Sequence, residues 1–130
     1  MRTALAAIGL VFAVGGAIGQ PRLDVPIYAG GDSRFDACGG GGQVVGLDPN
    51  GDGFLSVRSG PGGRPFREVD RLYNGNLVAI CAENGPWMGV VYGTRGTDCN
   101  VDTPWPVKQA YTGPCKAGWM HSRYVKVIAG

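Results

Sequence analysis

The sequence predicts an all-β fold, a small and partly open barrel, from three observations. The chain of 130 residues contains 24 glycines and 9 prolines, which disfavours long helices and favours short strands joined by tight turns. Apolar runs of strand length recur between clusters of Asn, Asp, Gly and Pro. The hydrophobic fraction is 44%, an ordinary value for a chain that builds a core. We therefore expect one domain of short strands.

The strands of the first half are predicted from alternating side chains and from turn residues. Residues 43–47 form a first short strand, and residues 48–53, Asp-Pro-Asn-Gly-Asp-Gly, form a turn. Residues 54–58 alternate apolar and polar side chains, as a half-buried strand does. A Gly-rich turn follows at 59–63, and residues 66–73 are expected to be a strand that leads into an Asn-Gly turn.

The second half contains a predicted hairpin and an insertion. Residues 77–82 and 87–92 are apolar runs separated by Asn-Gly-Pro, and their expected core residues are Val78, Ile80, Val90 and Tyr92. Residues 94–117 contain three prolines and little alternation, which predicts an irregular insertion rather than a strand. Residues 118–128 resume a strand pattern, so the domain is expected to span 43–130.

The N-terminal region predicts export. Residues 1–19 have a basic residue, an apolar stretch and then small residues, the pattern of a signal peptide cleaved near Gly19/Gln20. An uncleaved anchor is the alternative, but the stretch is short for a membrane span. We expect a periplasmic or secreted protein that has no membrane contact after cleavage. Residues 20–42 are expected to be an arm or linker that packs weakly, apart from Cys38.

The cysteines favour two disulfides. Four cysteines in a small chain with a signal segment are typical of an exported, disulfide-bonded domain. Three connectivities are possible. A Cys99–Cys115 bond would tie the two ends of the insertion together and contribute about 3 kcal/mol by closing that loop. Cys38 and Cys81 would then fasten the N-terminal arm to a central strand. Unpaired buried thiols are the alternative.

Charge and composition argue against several functions. The 12 basic and 10 acidic residues are scattered, which gives no electrostatic footprint for nucleic acid. Asp48, Asn50 and Asp52 match part of a calcium loop, but Ser59 stands where a glutamate is needed, and an Asx-rich turn explains the same residues. His121, the only histidine, is better explained as a strand residue than as a catalytic base. We predict no enzyme activity, no cofactor and no metal.

Two segments resemble the bacterial SH3-type (SH3b) domain. One is Leu-Ser-Val-Arg-Ser-Gly-Pro-Gly at 55–62, and the other is Gly-Trp-Met-His at 118–121, followed by Tyr124-Val125. Between them, Gly75 precedes Val78 and Ile80, and Trp87 precedes Val90. The resemblance covers residues 44–128 and implies an SH3-like partly open barrel, with Trp119 covering one of its ends. The insertion before Gly118 departs from the family, in which a short hairpin usually stands there.

The resemblance implies a non-catalytic binding module whose ligand is peptidoglycan or a cell-wall peptide. Exposed aromatic side chains would line a groove between the 59–63 turn and the hairpin. The candidate ligand-binding residues are Ser59, Pro61, Tyr73, Asn84, Trp87, Trp105 and Tyr124. The alternative is a protein–protein adaptor or inhibitor that binds an envelope protein through the insertion and Trp105. Trp105 could instead have a structural role, in which its ring packs as a cap on the base of the insertion. The protein is expected to be a monomer.

Overall fold

A computed structural model describes residues 22–130, and these residues form an all-β structure, as predicted. The signal peptide predicted at 1–19 lies outside the described residues. The strands are β1 (Tyr28–Ala29), β2 (Asp32–Asp36), β3 (Gly40–Val44), β4 (Leu55–Arg58), β5 (Glu68–Leu72), β6 (Leu77–Asn84), β7 (Trp87–Tyr92), β8 (Pro104–Trp105), β9 (Gln109–Ala110), β10 (Lys116–His121) and β11 (Val125–Ala129).

Seven of these strands form one antiparallel sheet, in the order β11-β3-β6-β7-β10-β4-β5. Its end strands, β11 and β5, are not paired with each other, so the barrel is open. Two small sheets, β1-β9 and β2-β8, lie outside it. The predicted hairpin is confirmed, because β6 and β7 pair from Ala79↔Val91 to Asn84↔Trp87.

One face of the sheet encloses the barrel core. Its buried residues are Val44, Leu47, Leu55, Val57, Leu72, Val78, Ile80, Val90, Tyr92 and Met120. All four core residues predicted from the hairpin are in this set. The alternation of β4 is also as predicted, because Leu55 and Val57 are buried while Ser56 and Arg58 are half-buried.

The opposite face of the same strands is buried as well, in an outer core. Val91 is 1% exposed and Trp119 is 4% exposed, and both point away from the barrel core. The buried residues of the outer core are Ile27, Ala29, Ala37, Cys38, Val91, Val101, Cys115 and Trp119. Trp119 therefore lies on the outer face of the sheet and does not cover an end of the barrel. The central strands β7 and β10 are therefore buried on both faces. A strand buried on only one face would alternate apolar and polar residues, so an expectation of such alternation does not predict the second buried face.

The layer that covers this face is made from two distant segments, residues 22–38 and 99–115, which we call the cover layer. They are joined because β1 pairs with β9 and β2 pairs with β8. Residues 20–42 were expected to pack weakly, and for the described part this is wrong: Ile27 and Ala29 are buried against the sheet. The insertion likewise contains two short strands, although it was predicted to have none.

Two further predicted strands differ in extent. The strand predicted at 43–47 corresponds to β3, which begins in the glycine run at Gly40 rather than at residue 43. Glycine is needed there, because a Cβ on Gly42 would lie 2.7 Å from Val125 Cγ1 of the neighbouring strand. The last strand predicted at 118–128 is divided into β10 and β11 by a 3-10 helix, Ser122–Tyr124.

One disulfide joins the cover layer to the sheet, and the other cross-links the insertion within the cover layer. Cys38 bonds to Cys81 on β6, and Cys99 bonds to Cys115 at the base of the insertion, so the expected pairing is confirmed. Such bonds form in oxidising compartments outside the cytosol. No helix among residues 22–130 has the length and apolarity that a membrane crossing requires.

Burial on both faces of β7 gives a direct test. We expect Val90→Ala and Val91→Ala each to lower the free energy of unfolding by about 2 kcal/mol, because each removes buried methyl groups. Val127→Ala, at a side chain that is 57% exposed, is the matched control and should change stability by less than about 0.5 kcal/mol. Urea unfolding of the oxidised proteins measures the difference. A Val91→Ala protein as stable as the control would contradict the buried outer face.

Candidate functional site

A cleft of about 540 Å³ lies where the cover layer meets one edge of the barrel. Strand β5 and the turn after it form one wall, and the end of β7 with the base of the insertion forms the other. The lining residues are Asp70, Arg71, Leu72, Tyr73, Asn76, Leu77, Tyr92, Gly93, Thr94, Arg95, Thr97, Pro114, Cys115 and Lys116. We call this the β5 cleft.

Asp70 is the centre of a polar network in the β5 cleft. The hydroxyl of Tyr92 donates a hydrogen bond of 2.8 Å to Asp70 Oδ2, and Lys116 Nζ lies 3.5 Å from the same oxygen. The backbone N–H of Arg71 donates to Asp70 Oδ1 at 2.8 Å. These contacts join β5, β7 and β10, so the cleft has a floor whose polar groups are held in place.

The network changes the pKa of both acids. Burial raises the pKa of Asp70, but the hydrogen bonds from Arg71 and Tyr92 and the charge of Lys116 outweigh it, so the pKa lies below its usual value. Burial, together with the hydrogen bond to the Asp70 carboxylate and its charge, raises the pKa of Tyr92 well above its usual value. At neutral pH the floor of the cleft therefore holds a carboxylate and a neutral phenol.

The rim of the β5 cleft is cationic and aromatic. Arg71 is held by Glu68 at 2.7 Å and lies over the ring of Phe54 at 3.9 Å. Arg95, by contrast, makes no hydrogen bond or ion pair with any residue that the structure describes. Tyr73, which lines the same cleft, is 54% exposed. The site thus combines a guanidinium without a partner in the described part of the chain, an exposed aromatic ring and the hydrogen-bonded Asp70 network.

The predicted ligand-binding residues are not gathered in this cleft, and only Tyr73 lines it. Asn84 and Trp87 are paired beside the β6-β7 turn, whereas Tyr73 precedes the β5-β6 turn. These turns stand at opposite ends of β6, an eight-residue strand that spans roughly 25 Å. Tyr124 is half-buried against the barrel core. The groove expected between the 59–63 turn and the hairpin is not formed by these residues.

Ser59 has a structural role. It is fully buried, and its hydroxyl donates a 2.6 Å hydrogen bond to Asp24 Oδ2 of the cover layer while accepting one from the Arg67 N–H. Ser59 therefore fastens the cover layer to the 59–63 turn and is not available to a ligand. Pro61, on the same turn, is half-buried.

Trp105 stacks within the insertion. Its ring is parallel to that of Tyr111, with centroids 6.3 Å apart, and its indole N–H donates to the Asn100 carbonyl at 3.0 Å. This arrangement agrees with the explanation that Trp105 caps the insertion, while part of the ring stays exposed.

Two further motifs have local structural explanations. Asp48 Oδ1 accepts a hydrogen bond from the Asn50 N–H at 2.8 Å, which makes the calcium-like segment an Asx turn. Within residues 22–130 no group of three or more His, Cys, Asp and Glu side chains is placed to hold a metal ion. His121 Nδ1 accepts from the Arg123 N–H, and its ring meets Trp87 edge-on at 5.3 Å.

Sequence reasoning missed Asp70, Arg95 and Lys116. They stand on β5, on the loop after β7 and on β10, and no spacing in the chain links them. Tyr92 was predicted only as a core residue, but its ring is in the barrel core while its hydroxyl reaches the cleft. A tyrosine at the end of an apolar strand was the available signal, because a buried phenol needs a partner.

In comparisons with protein-family models, curated proteins and solved structures, nothing matches this chain. The SH3b resemblance therefore remains a prediction from the two segments at 55–62 and 118–125.

The Asp70 network has a testable pH dependence. Because the pKa of Asp70 is lowered in the folded protein, its contribution to stability is present above the unfolded pKa and is lost as pH falls through the folded pKa. We expect Tyr92→Phe to raise the Asp70 pKa and to cost about 1 kcal/mol at neutral pH. Carboxyl ¹³C NMR titration measures the pKa, and Tyr28→Phe, in the cover layer, is the control. An unchanged Asp70 pKa in Tyr92→Phe would contradict the network.

Proposed function

We propose that this protein is an exported, non-catalytic binding module of the SH3b type that recognises cell-wall peptides through the β5 cleft. The observation that carries the proposal is that Arg95, which has no partner among residues 22–130, and the exposed Tyr73 line the same cleft as the Asp70–Tyr92–Lys116 network. The proposed site is the β5 cleft instead of the groove expected between the 59–63 turn and the hairpin. The proposed ligand is still a cell-wall peptide, as the sequence predicts.

The chemistry of the cleft suits a peptide that carries a free carboxylate. The guanidinium of Arg95 is available for a bidentate pair with a carboxylate, and no partner among the described residues has to be displaced first. Tyr73 supplies a flat face for an aliphatic or amide group of the same peptide. Asp70 repels a second carboxylate but pairs with an amine, so a ligand with both groups, such as a cell-wall peptide, fits best.

Two observations of different kind support export. The signal pattern at 1–19 predicts transfer across the cytoplasmic membrane, and the two disulfides favour an oxidising compartment. Together they favour a periplasmic or secreted location, where a wall ligand would be encountered.

A second function, that of a protein–protein adaptor for an envelope partner, is favoured by exposed apolar side chains on the cover layer. Phe35 is 63% exposed on β2, and Val107 is 66% exposed between β8 and β9. Because Trp105 is held against Tyr111, these two side chains are the better contacts for a partner.

Sedimentation with purified peptidoglycan sacculi tests the first proposal. We expect the oxidised protein to pellet with the sacculi, and the variant Tyr73→Ala/Arg95→Ala to lose most of this binding. The matched control is Arg34→Ala/Phe35→Ala, which removes an arginine and an aromatic ring from β2 on the cover layer. It should leave sedimentation unchanged.

Loss of sedimentation only in the Arg34/Phe35 variant would contradict the β5 cleft and assign wall binding to the cover layer instead. Failure of the unmodified protein to sediment would contradict wall binding altogether. Circular dichroism of each variant establishes that a loss of binding is not a loss of fold.

A further inference from the structure

A second cleft, of about 390 Å³, lies within the insertion, and we call it the Trp105 cleft. Its lining is Cys99, Asn100, Pro104, Trp105, Pro106, Gln109, Thr112 and Gly113. None of these side chains is charged, whereas four charged residues line the β5 cleft. The two clefts therefore select different ligand chemistry.

The aromatic pair beside the Trp105 cleft is fixed at both of its polar ends. Trp105 and Tyr111 are parallel to within 3°, and the Trp105 indole N–H is held by the Asn100 carbonyl. The Tyr111 hydroxyl donates to the Cys99 carbonyl at 2.9 Å and accepts from the Cys115 N–H at 3.1 Å. Since Cys99 and Cys115 are also bonded to each other, the platform is set before any ligand arrives.

Hydrogen-bonding groups surround this platform. The Asn100 amide and the Thr112 hydroxyl have no partner among the described residues. Gln109 Nε2 donates to the Val107 carbonyl at 3.2 Å, which leaves its Oε1 free to accept. These side chains offer both donors and acceptors, and none of them prefers a charged ligand.

We propose that the Trp105 cleft binds a neutral pyranose sugar. A pyranose presents a flat patch of C–H groups, which packs on an aromatic face, and a rim of hydroxyls, which bond to amides and hydroxyls. Tyr111 stacks parallel to Trp105 and does not line the cleft, so Trp105 supplies the aromatic surface of the cleft. One aromatic surface with polar groups around it matches one sugar ring.

A proline-rich peptide fits less well. Domains that bind such peptides hold them in grooves between aromatic side chains. The Trp105 cleft is lined by a single aromatic residue, Trp105, so it is not a groove between two aromatic side chains. The sugar site goes beyond the function proposed above and does not depend on it, since the two clefts share no lining residue.

The test is NMR titration of the ¹⁵N-labelled, oxidised protein with two neutral probes, N-acetylglucosamine tetramer and cellotetraose. We expect at least one probe, at millimolar concentration, to shift the Trp105 indole N–H and the Gln109 side-chain amide. The Trp119 indole, buried in the outer core, should stay in place and report that the fold is intact. Gln109→Ala/Thr112→Val should weaken binding by about fivefold or more without touching the aromatic stack.

Three results would overturn the proposal: no Trp105 shift with either sugar, sugar binding that is unchanged in Trp105→Ala, or a shift only with a decaproline probe. Trp105→Phe, which keeps a ring against Tyr111, replaces Trp105→Ala if the loop of the alanine variant unfolds. The Tyr73/Arg95 variant should bind the sugar normally, so that failure of the β5 cleft and failure of the sugar site are distinguished.

Discussion

The fold depends on the burial of large apolar side chains on both faces of β7 and β10. Val90 and Met120 lie in the barrel core, while their neighbours Val91 and Trp119 lie on the opposite face. Each such side chain stabilises the fold by about 1.5–3 kcal/mol only if water is excluded from it. An open seven-stranded sheet excludes water from one face at most, so a second layer is a physical requirement of this sequence.

The cover layer meets this requirement with two segments that are far apart in the chain. Ile27 packs so closely on β7 that a Cβ on Gly89 would lie 2.8 Å from Ile27 Cδ1. The Trp119 indole N–H, which needs a partner once it is buried, donates to the Val25 carbonyl at 2.9 Å. The disulfides then hold the layer in place, and the insertion that departs from the SH3b pattern becomes half of that layer.

The positions of both clefts follow from this arrangement. Cys115 is buried beneath the insertion, and the next residue, Lys116, begins β10 and reaches Asp70 across the sheet. The base of the loop thus forms a wall of the β5 cleft, while its far side carries Trp105. One cross-linked loop places a charged cleft on one side and an uncharged cleft on the other.

Much of the fold was predictable because its signals are local. The hairpin follows from Asn-Gly-Pro between two apolar runs. The position of the insertion favoured the observed disulfide pairing, although three connectivities were possible from the sequence. The burial of residues 22–38 was missed because their partners are distant in sequence. The runs at 77–82 and 87–92 nevertheless contained a signal, since they are continuously apolar and strands buried on one face alternate.

The candidate site was less predictable than the fold. Tyr73 was identified because an aromatic residue beside a turn is a local pattern. Asp70, Arg95 and Lys116 come from three parts of the chain, and only the register of β5, β7 and β10 brings them together. Ser59 was a reasonable ligand-binding candidate because serine can hydrogen-bond a ligand. Its hydroxyl instead donates to Asp24, which lies 35 residues earlier in the chain.

Hydrogen exchange of the Trp119 indole N–H tests the two-layer account most directly. If residues 22–38 cover the sheet, this proton is buried and bonded to Val25, and it should exchange only through unfolding of the whole domain. Its protection should then equal that of the slowest backbone amides of β7. Exchange at the rate of an exposed indole, in a protein whose β7 amides remain protected, would show that the outer face is open and would contradict the account.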